Sequence, residues 1–203
     1  MIELPFSESC ERNKKPILGA LNQVLPATGL VLEIGSCTGQ HIVFFARALP
    51  HLAWQPSDQE IYLAGLSSRI GQEGSQNILD AIELDVTTAW PDRRFDAVYS
   101  ANTAHIMSWP SVCSMFAGVG EILRRGGIFC LYGPFNEEGR FTSKSNEDFD
   151  RSLRARDPAM GIRDIEALET LAHGHQLVLA EQVRLPANNR LLVFRKIGGS
   201  ADV

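Results

Sequence analysis

The run Val31-Leu32-Glu33-Ile34-Gly35-Ser36-Cys37-Thr38-Gly39-Gln40-His41 is where a strand turns into a helix. Leu30 to Ile34 is a short apolar run stopped by Gly35, the pattern of a buried strand. Residues 40–48 (QHIVFFARA) then read as a helix. Gly35 permits a tight turn and a close backbone approach, and Gly39 lets the helix start near the strand. The loop amides and the helix N-terminus offer donors to a polar or anionic ligand. The loop is not G-x-G-x-x-G, so the dinucleotide fingerprint fails at two of its glycines.

Two acids lie downstream. Asp58 follows Gly39 by 19 residues (58 − 39), just past a second strand at Leu52–Pro56. Pro56, which has no N–H for a ladder, argues for a strand end there. An ionised carboxylate has acceptors and no donor, so Asp58 can take both ribose hydroxyls of a nucleoside. Asp85 follows a third strand at Ile78–Leu84, and with Val86 it can flank an adenine ring.

The alternation continues. Residues 11–25 carry apolar positions at helical spacing, and 60–71 form a helix stopped by Gly71 and Gly74. Phe95–Ser100 is a fourth strand, 109–123 a helix with Pro110 in its first turn, and Ile128–Tyr132 a fifth strand after Gly126-Gly127. A helix over 164–173 opens on Asp164 as its cap. Gln176–Leu185 and Arg190–Ile197 are two strands joined by the turn-forming PANN. These elements predict an α/β fold: a Rossmann-like, doubly wound, mostly parallel seven-stranded sheet with an antiparallel edge pair. One domain, 1–203, is expected, with 136–164 as a lid or substrate segment.

The chain has 203 residues, with 19 Lys+Arg against 24 Asp+Glu, a net charge of −5 and a pI of about 5.5. A protein whose main task is gripping nucleic acid is normally basic, so nucleic acid is disfavoured. The segment MIELPFSESCERNKK lacks the basic start and apolar stretch of a signal peptide, and no apolar run is long enough to span a membrane. Cys10, Cys37, Cys113 and Cys130 form no metal-binding spacing. A cytoplasmic protein with reduced thiols and no metal site is expected. The oligomeric state is open.

VLEIGSCTGQH resembles the first motif of class I S-adenosylmethionine-dependent methyltransferases, usually E-x-G-x-G-x-G, through Glu33, Gly35 and Gly39. Cys37 stands where that family usually has its middle glycine, and its Cβ would crowd the methionine part of the cofactor. Asp58 matches the ribose-binding acid, Asp85-Val86 the adenine-side motif, and Phe95-Asp96-Ala97-Val98 the fourth strand. Over its whole length the chain is similar to a smaller methyltransferase-like family of unknown function. The shared segments include Glu11-Arg12-Asn13-Lys14, Ala101-Asn102 with His105-Ile106, Gly133-Pro134-Phe135 and Pro186-Ala187-Asn188-Asn189.

The resemblance implies S-adenosylmethionine as cofactor. The arginines of 136–164 point to a small, polar, anionic acceptor, with oxygen preferred because the [DNS]-P-P-[YF] motif of amide and base methylation is absent. Arg12 and Asn13 close over the cofactor, His41 orients the loop backbone, and Asn102 and His105 face the cofactor methyl, with His105 as base or substrate hydrogen-bonder. Arg154, Arg163 and Phe141 are the expected acceptor contacts, the arginines as forks for an anion. Two rival readings stand beside this one. The first is a degenerate fold that binds cofactor or a partner chain, favoured by Cys37. The second is a nicotinamide-dependent oxidoreductase, which the missing fingerprint disfavours.

Overall fold

Residues 4–198 are described by a computed structural model, so the expected 1–203 domain extends past them at both ends. Strand β1 (Gly29–Ile34) is buried at all but its first residue. That continuous burial suits an inner parallel strand covered on both faces. Helix α1 (Glu8–Val24) precedes it and α2 (Gln40–Ala48) follows. Next come β2 (Leu52–Asp58), α3 (Glu60–Glu73), β3 (Ile82–Glu83), β4 (Phe95–Ala101), α4 (Trp109–Ile122) and β5 (Leu123–Asn136). The chain closes with α5 (Lys144–Arg156), β6 (Arg163–Asp164), α6 (Ile165–Gly174), β7 (Leu177–Leu185) and β8 (Asn189–Lys196).

The sheet order is β3-β2-β1-β4-β5-β8-β7, with the two-residue β6 paired to the end of β5. All contacts are parallel except those of β8, which runs antiparallel to both β5 and β7. The seven-stranded path and its antiparallel terminal pair agree with the sequence pattern. The sequence did not indicate that the last strand inserts inside its predecessor, leaving β7 at the edge.

Alternation along β1 sorts the core. Leu30, Leu32 and Ile34 pack with α4 and α6 on one face, through Phe116, Val119 and Leu168. Val31 faces the other way, onto Ile17 and Leu21 of α1 and Ile42 and Phe45 of α2.

Three local expectations are corrected. The third strand shrinks to Ile82–Glu83, with Ile78 making only an isolated bridge to Trp54. The Asn77 amide there donates to the carbonyls of Ala46 and Leu52 and closes the edge without a ladder. For the same reason β2 runs through Pro56 to Asp58. The Trp54 N–H faces the β3 side, and so does the place of the missing Pro56 N–H, where the ladder has a gap. Asp164 holds the cap position of α6 but turns its carboxylate to the Gly139 N–H at 2.6 Å.

Candidate functional site

Strand order reverses between β1 and β4, and in such sheets ligands sit beyond the carboxyl ends at that point. A cavity of about 1230 Å³ opens there. That exceeds the roughly 300–1000 Å³ of a pocket for one drug-sized ligand, so two molecules have room side by side.

One side is built on the loop after β1. Gly35 has φ +75°, and a Cβ on it would lie 2.7 Å from the Thr103 methyl. Only glycine lets the β1 loop pass so close to the end of β4. Ser100 ties the same two strands, its hydroxyl donating to the Ile34 carbonyl at 2.9 Å. Cys37 also has left-handed backbone, φ 47°, with an exposed side chain on the cavity wall. Its N–H donates to Asp58 Oδ2 at 2.6 Å, and the Gln59 N–H donates to Asp58 Oδ1 at 2.8 Å. Each oxygen of Asp58 therefore keeps a further acceptor site, and Asp58 lines the cavity, which fits two ligand hydroxyls. Burial raises the Asp58 carboxyl above its usual range, against the lowering effect of those two N–H bonds.

Asp85 is held differently. Its Oδ1 accepts from the Thr87 N–H and hydroxyl at 2.9 and 2.7 Å, and Oδ2 from the Gln59 amide at 2.9 Å. The bonds from Thr87 hold its carboxyl below the usual range. Val86 lines the wall beside it.

Helix α1 roofs this side. The Gln40 amide oxygen accepts from the Ser7 N–H at 2.6 Å, and its NH2 donates to Glu11 at 2.7 Å. His41 Nε2 meets Asn13 Oδ1 at 2.7 Å, so Nε2 carries the proton and Nδ1 faces the Tyr99 hydroxyl at 3.4 Å. Burial, with Lys14 nearby, pushes His41 down to about 4, so it is neutral at pH 7. Arg69, buried, donates to the Thr38 and Pro5 carbonyls and fastens the N-terminal segment to the loop. The roof places Arg12 and Asn13 on the cavity wall.

The other side lies past β4 and β5. Asn102 has φ 59° and donates its N–H to the Tyr132 carbonyl at 2.9 Å. His105 follows, its ring edge-on to Phe149 of α5 at 5.3 Å between centroids. Burial first, then the cations Arg163 and Arg156, lower it to about 4. It is therefore neutral at pH 7. Segment 136–164 contributes Ser145, Asn146, Phe149, Arg156 and Met160 to this wall, and the 186–189 turn contributes Asn189.

Of the expected site residues, Arg12, Asn13, Gly35, Cys37, His41, Asp58, Asp85, Val86, Asn102 and His105 converge on one cavity. Five do not line it. Glu33 is buried beneath the loop, raised to about 8 chiefly by burial, with Oε2 unpartnered. Gly39 sits behind the loop, where a Cβ would press on Arg69 and Leu66 at 3.0 Å. Arg154 is engaged by Asp150 at 2.7 Å. Arg163 donates to the carbonyls of Ala104, Met107 and Ala159, clamping the 103–107 turn to the loop after α5. Phe141 is on a separate surface cleft with Glu137 and Glu166. Arginines in a charged segment carry no sequence mark of which carbonyls or carboxylates they will meet. Gln59, Tyr132, Arg156 and Asn189 also line the cavity and were not expected there, since no local pattern marks them.

Among the described residues no cluster of three or more His, Cys, Asp or Glu is placed to hold a metal. No described helix is long and apolar enough to cross a membrane.

The fold has close counterparts among solved structures. An O-methyltransferase family protein from Burkholderia thailandensis superposes with a TM-score of 0.80 at 14% identity, over 95% of this chain and 59% of that one. An O-methyltransferase family 2 protein from Planctomyces limnophilus, in complex with apigenin, gives 0.78 at 15% identity, over 93% and 60%. Human N-acetylserotonin methyltransferase, in complex with S-adenosylmethionine, gives 0.79 at 14% identity, over 94% and 53%. The chain thus spans less than two thirds of the length of each, and the likeness is one of fold. The family model described as "Protein of unknown function (DUF938)" matches residues 4–196, and the chain belongs to that family.

Proposed function

We propose that the protein is an S-adenosylmethionine-dependent methyltransferase acting on an oxygen of a small polar acceptor. The observation that carries this is Asp58: a carboxylate on the cavity wall, held by one backbone N–H on each oxygen, beside a loop that Gly35 brings against β4. Asp58 holds the ribose hydroxyls, and Asp85 with Val86 flanks the base. The amides of the loop and of α2, with Arg12 and Asn13 from the roof, hold the methionine part. Bound there, the cofactor supplies an electrophilic methyl group. The chain's own residues position the acceptor oxygen toward it, a placement that can provide much of the rate. His105, neutral and on the cavity wall, takes the proton of an acceptor hydroxyl. Asn102 orients the same oxygen from the end of β4.

Thermal shift with S-adenosylmethionine, S-adenosylhomocysteine and NAD tests the reading. The first two at 100 times their dissociation constants stabilise by about 2.7 kcal/mol, and NAD leaves the transition in place. Stabilisation by NAD alone refutes it.

A further inference from the structure

The two halves of the cavity differ in charge. The lining acids, Asp58 and Asp85, both belong to the nucleoside side. The lining arginines are Arg12, on the roof beside Asn13, and Arg156, at the end of α5 beside Met160. The acceptor side therefore holds a cation and, among the described residues, no lining acid. The other cations of α5 are occupied. Lys144 and Arg151 bridge to Glu147 and Asp148, and Arg154 to Asp150. Among the described residues Arg156 has no such partner. An unpaired surface arginine is ordinary by itself. Arg156 is set apart because it lines the cavity and its field reaches the His105 ring.

Apolar groups line the same cavity. Ile106 is 47% exposed and Phe149 39%, and Met107 and Met160 complete the wall. Exposed apolar side chains gathered around a cavity mark ligand contact rather than solvent contact. One ring, a branched aliphatic side chain and two thioethers suit a flat aromatic body.

We propose that the acceptor is a hydroxylated arene carboxylate, its carboxylate paired with Arg156 and its ring held among Ile106, Met107, Phe149 and Met160. The proposal rests on the methyl-transfer reading and narrows its acceptor. Two carboxylates then meet two arginines, the cofactor's at Arg12 and the acceptor's at Arg156. Pairing also offsets the field of Arg156 on His105, which strengthens that ring as a proton acceptor when the right ligand is present.

The test uses the full chain and the three hydroxybenzoates, with phenol and the methyl hydroxybenzoates as neutral counterparts. Calorimetry first measures S-adenosylhomocysteine binding, then binding of each probe to the loaded protein. Methyl transfer from labelled cofactor is followed in parallel. A charged hydrogen bond corresponds to roughly 10- to 100-fold in affinity, so a hydroxybenzoate binds that much tighter than its neutral counterpart. Arg156→Gln removes the preference with S-adenosylhomocysteine affinity retained, Arg156→Lys restores part of it, and Arg151→Gln keeps it whole. Equal binding of charged and neutral probes to loaded wild-type protein overturns the acceptor class with the cofactor reading intact. So does a preference that survives Arg156→Gln. Failure of wild-type protein to bind S-adenosylhomocysteine overturns both readings.

Discussion

The proposed nucleoside side and the proposed acceptor side of the cavity are held in different ways. The first is made largely by backbone: the Gly35 turn, the Cys37 and Gln59 N–H groups on Asp58, and Thr87 on Asp85. Its parts follow β1, β2 and the short β3, successive neighbours in the sheet. The second is assembled from the 101–108 turn, α5, the loop after α5 and the 186–189 turn. It is tied by side chains, chiefly Arg163 to three carbonyls and Asp150 to the Ile162 N–H at 2.7 Å. A backbone-built half tolerates side-chain variation and suits an invariant ligand. A half clamped by side chains from distant segments can be rebuilt for a new acceptor without disturbing the first.

The contrast sets the order of expected effects. Asp58→Ala removes two ligand hydrogen bonds and the anchor of the Cys37 N–H, so cofactor affinity falls about 100-fold or more by calorimetry. A tenfold loss or less would show that the loop holds the nucleoside without the carboxylate. His105→Ala lowers kcat by about 10²- to 10⁴-fold and leaves S-adenosylhomocysteine affinity within about threefold, since it touches only the acceptor side. Equal losses in both would merge the two halves.

Acid acts on both halves through His41 and His105, each lowered from 6.5 to about 4. Groups kept neutral by the fold contribute stability that is present above about pH 6.5 and lost as pH falls through about 4. Glu33, raised to about 8, works the other way below pH 7, but the two histidines outweigh it, so denaturant titrations from pH 7 to pH 4 show falling stability. The paired His41→Asn, His105→Asn variant flattens that profile.

Arg163→Met leaves three carbonyls without their donor and costs about 2–3 kcal/mol of stability. Hydrogen exchange at residues 157–163 quickens with the glycine loop unchanged. The smallest effect is that of Cys37→Gly. Left-handed backbone costs an L-residue roughly 1–2 kcal/mol, and glycine's extra unfolded freedom offsets about 0.5–1 kcal/mol of that. Cofactor affinity stays level or tightens a few-fold. A weakening would mean that the thiol side chain itself contributes to the site.

Much of the nucleoside side could be read along the chain because its signals are local. Gly35 and Gly39 sit at φ +75° and +73°, Asp58 is the last residue of β2, and Asp85 stands two residues past β3. The placement of Cys37 at φ 47° was not legible, since no side chain announces its backbone angle. On the acceptor side, Asn102 and His105 could be found because they directly follow β4. The choice among six arginines and lysines of 136–164 could not be made. Arg154, Arg156 and Arg163 are alike in sequence, and only packing gave them Asp150, the cavity and three carbonyls respectively.

From sequence alone came the alternation of strands and helices, the glycine-bearing turn after β1, and the acids after β2 and β3. Each follows from periodicity and backbone preference within a few residues. Tertiary structure alone decided the insertion of β8 between β5 and β7, the docking of α1 through Gln40, His41 and Arg69, and which arginines of 136–164 find partners. Those outcomes depend on which long side chains reach which orphan carbonyls and carboxylates. Segments far apart in the chain compete for them, and the competition is settled only when the whole chain has packed.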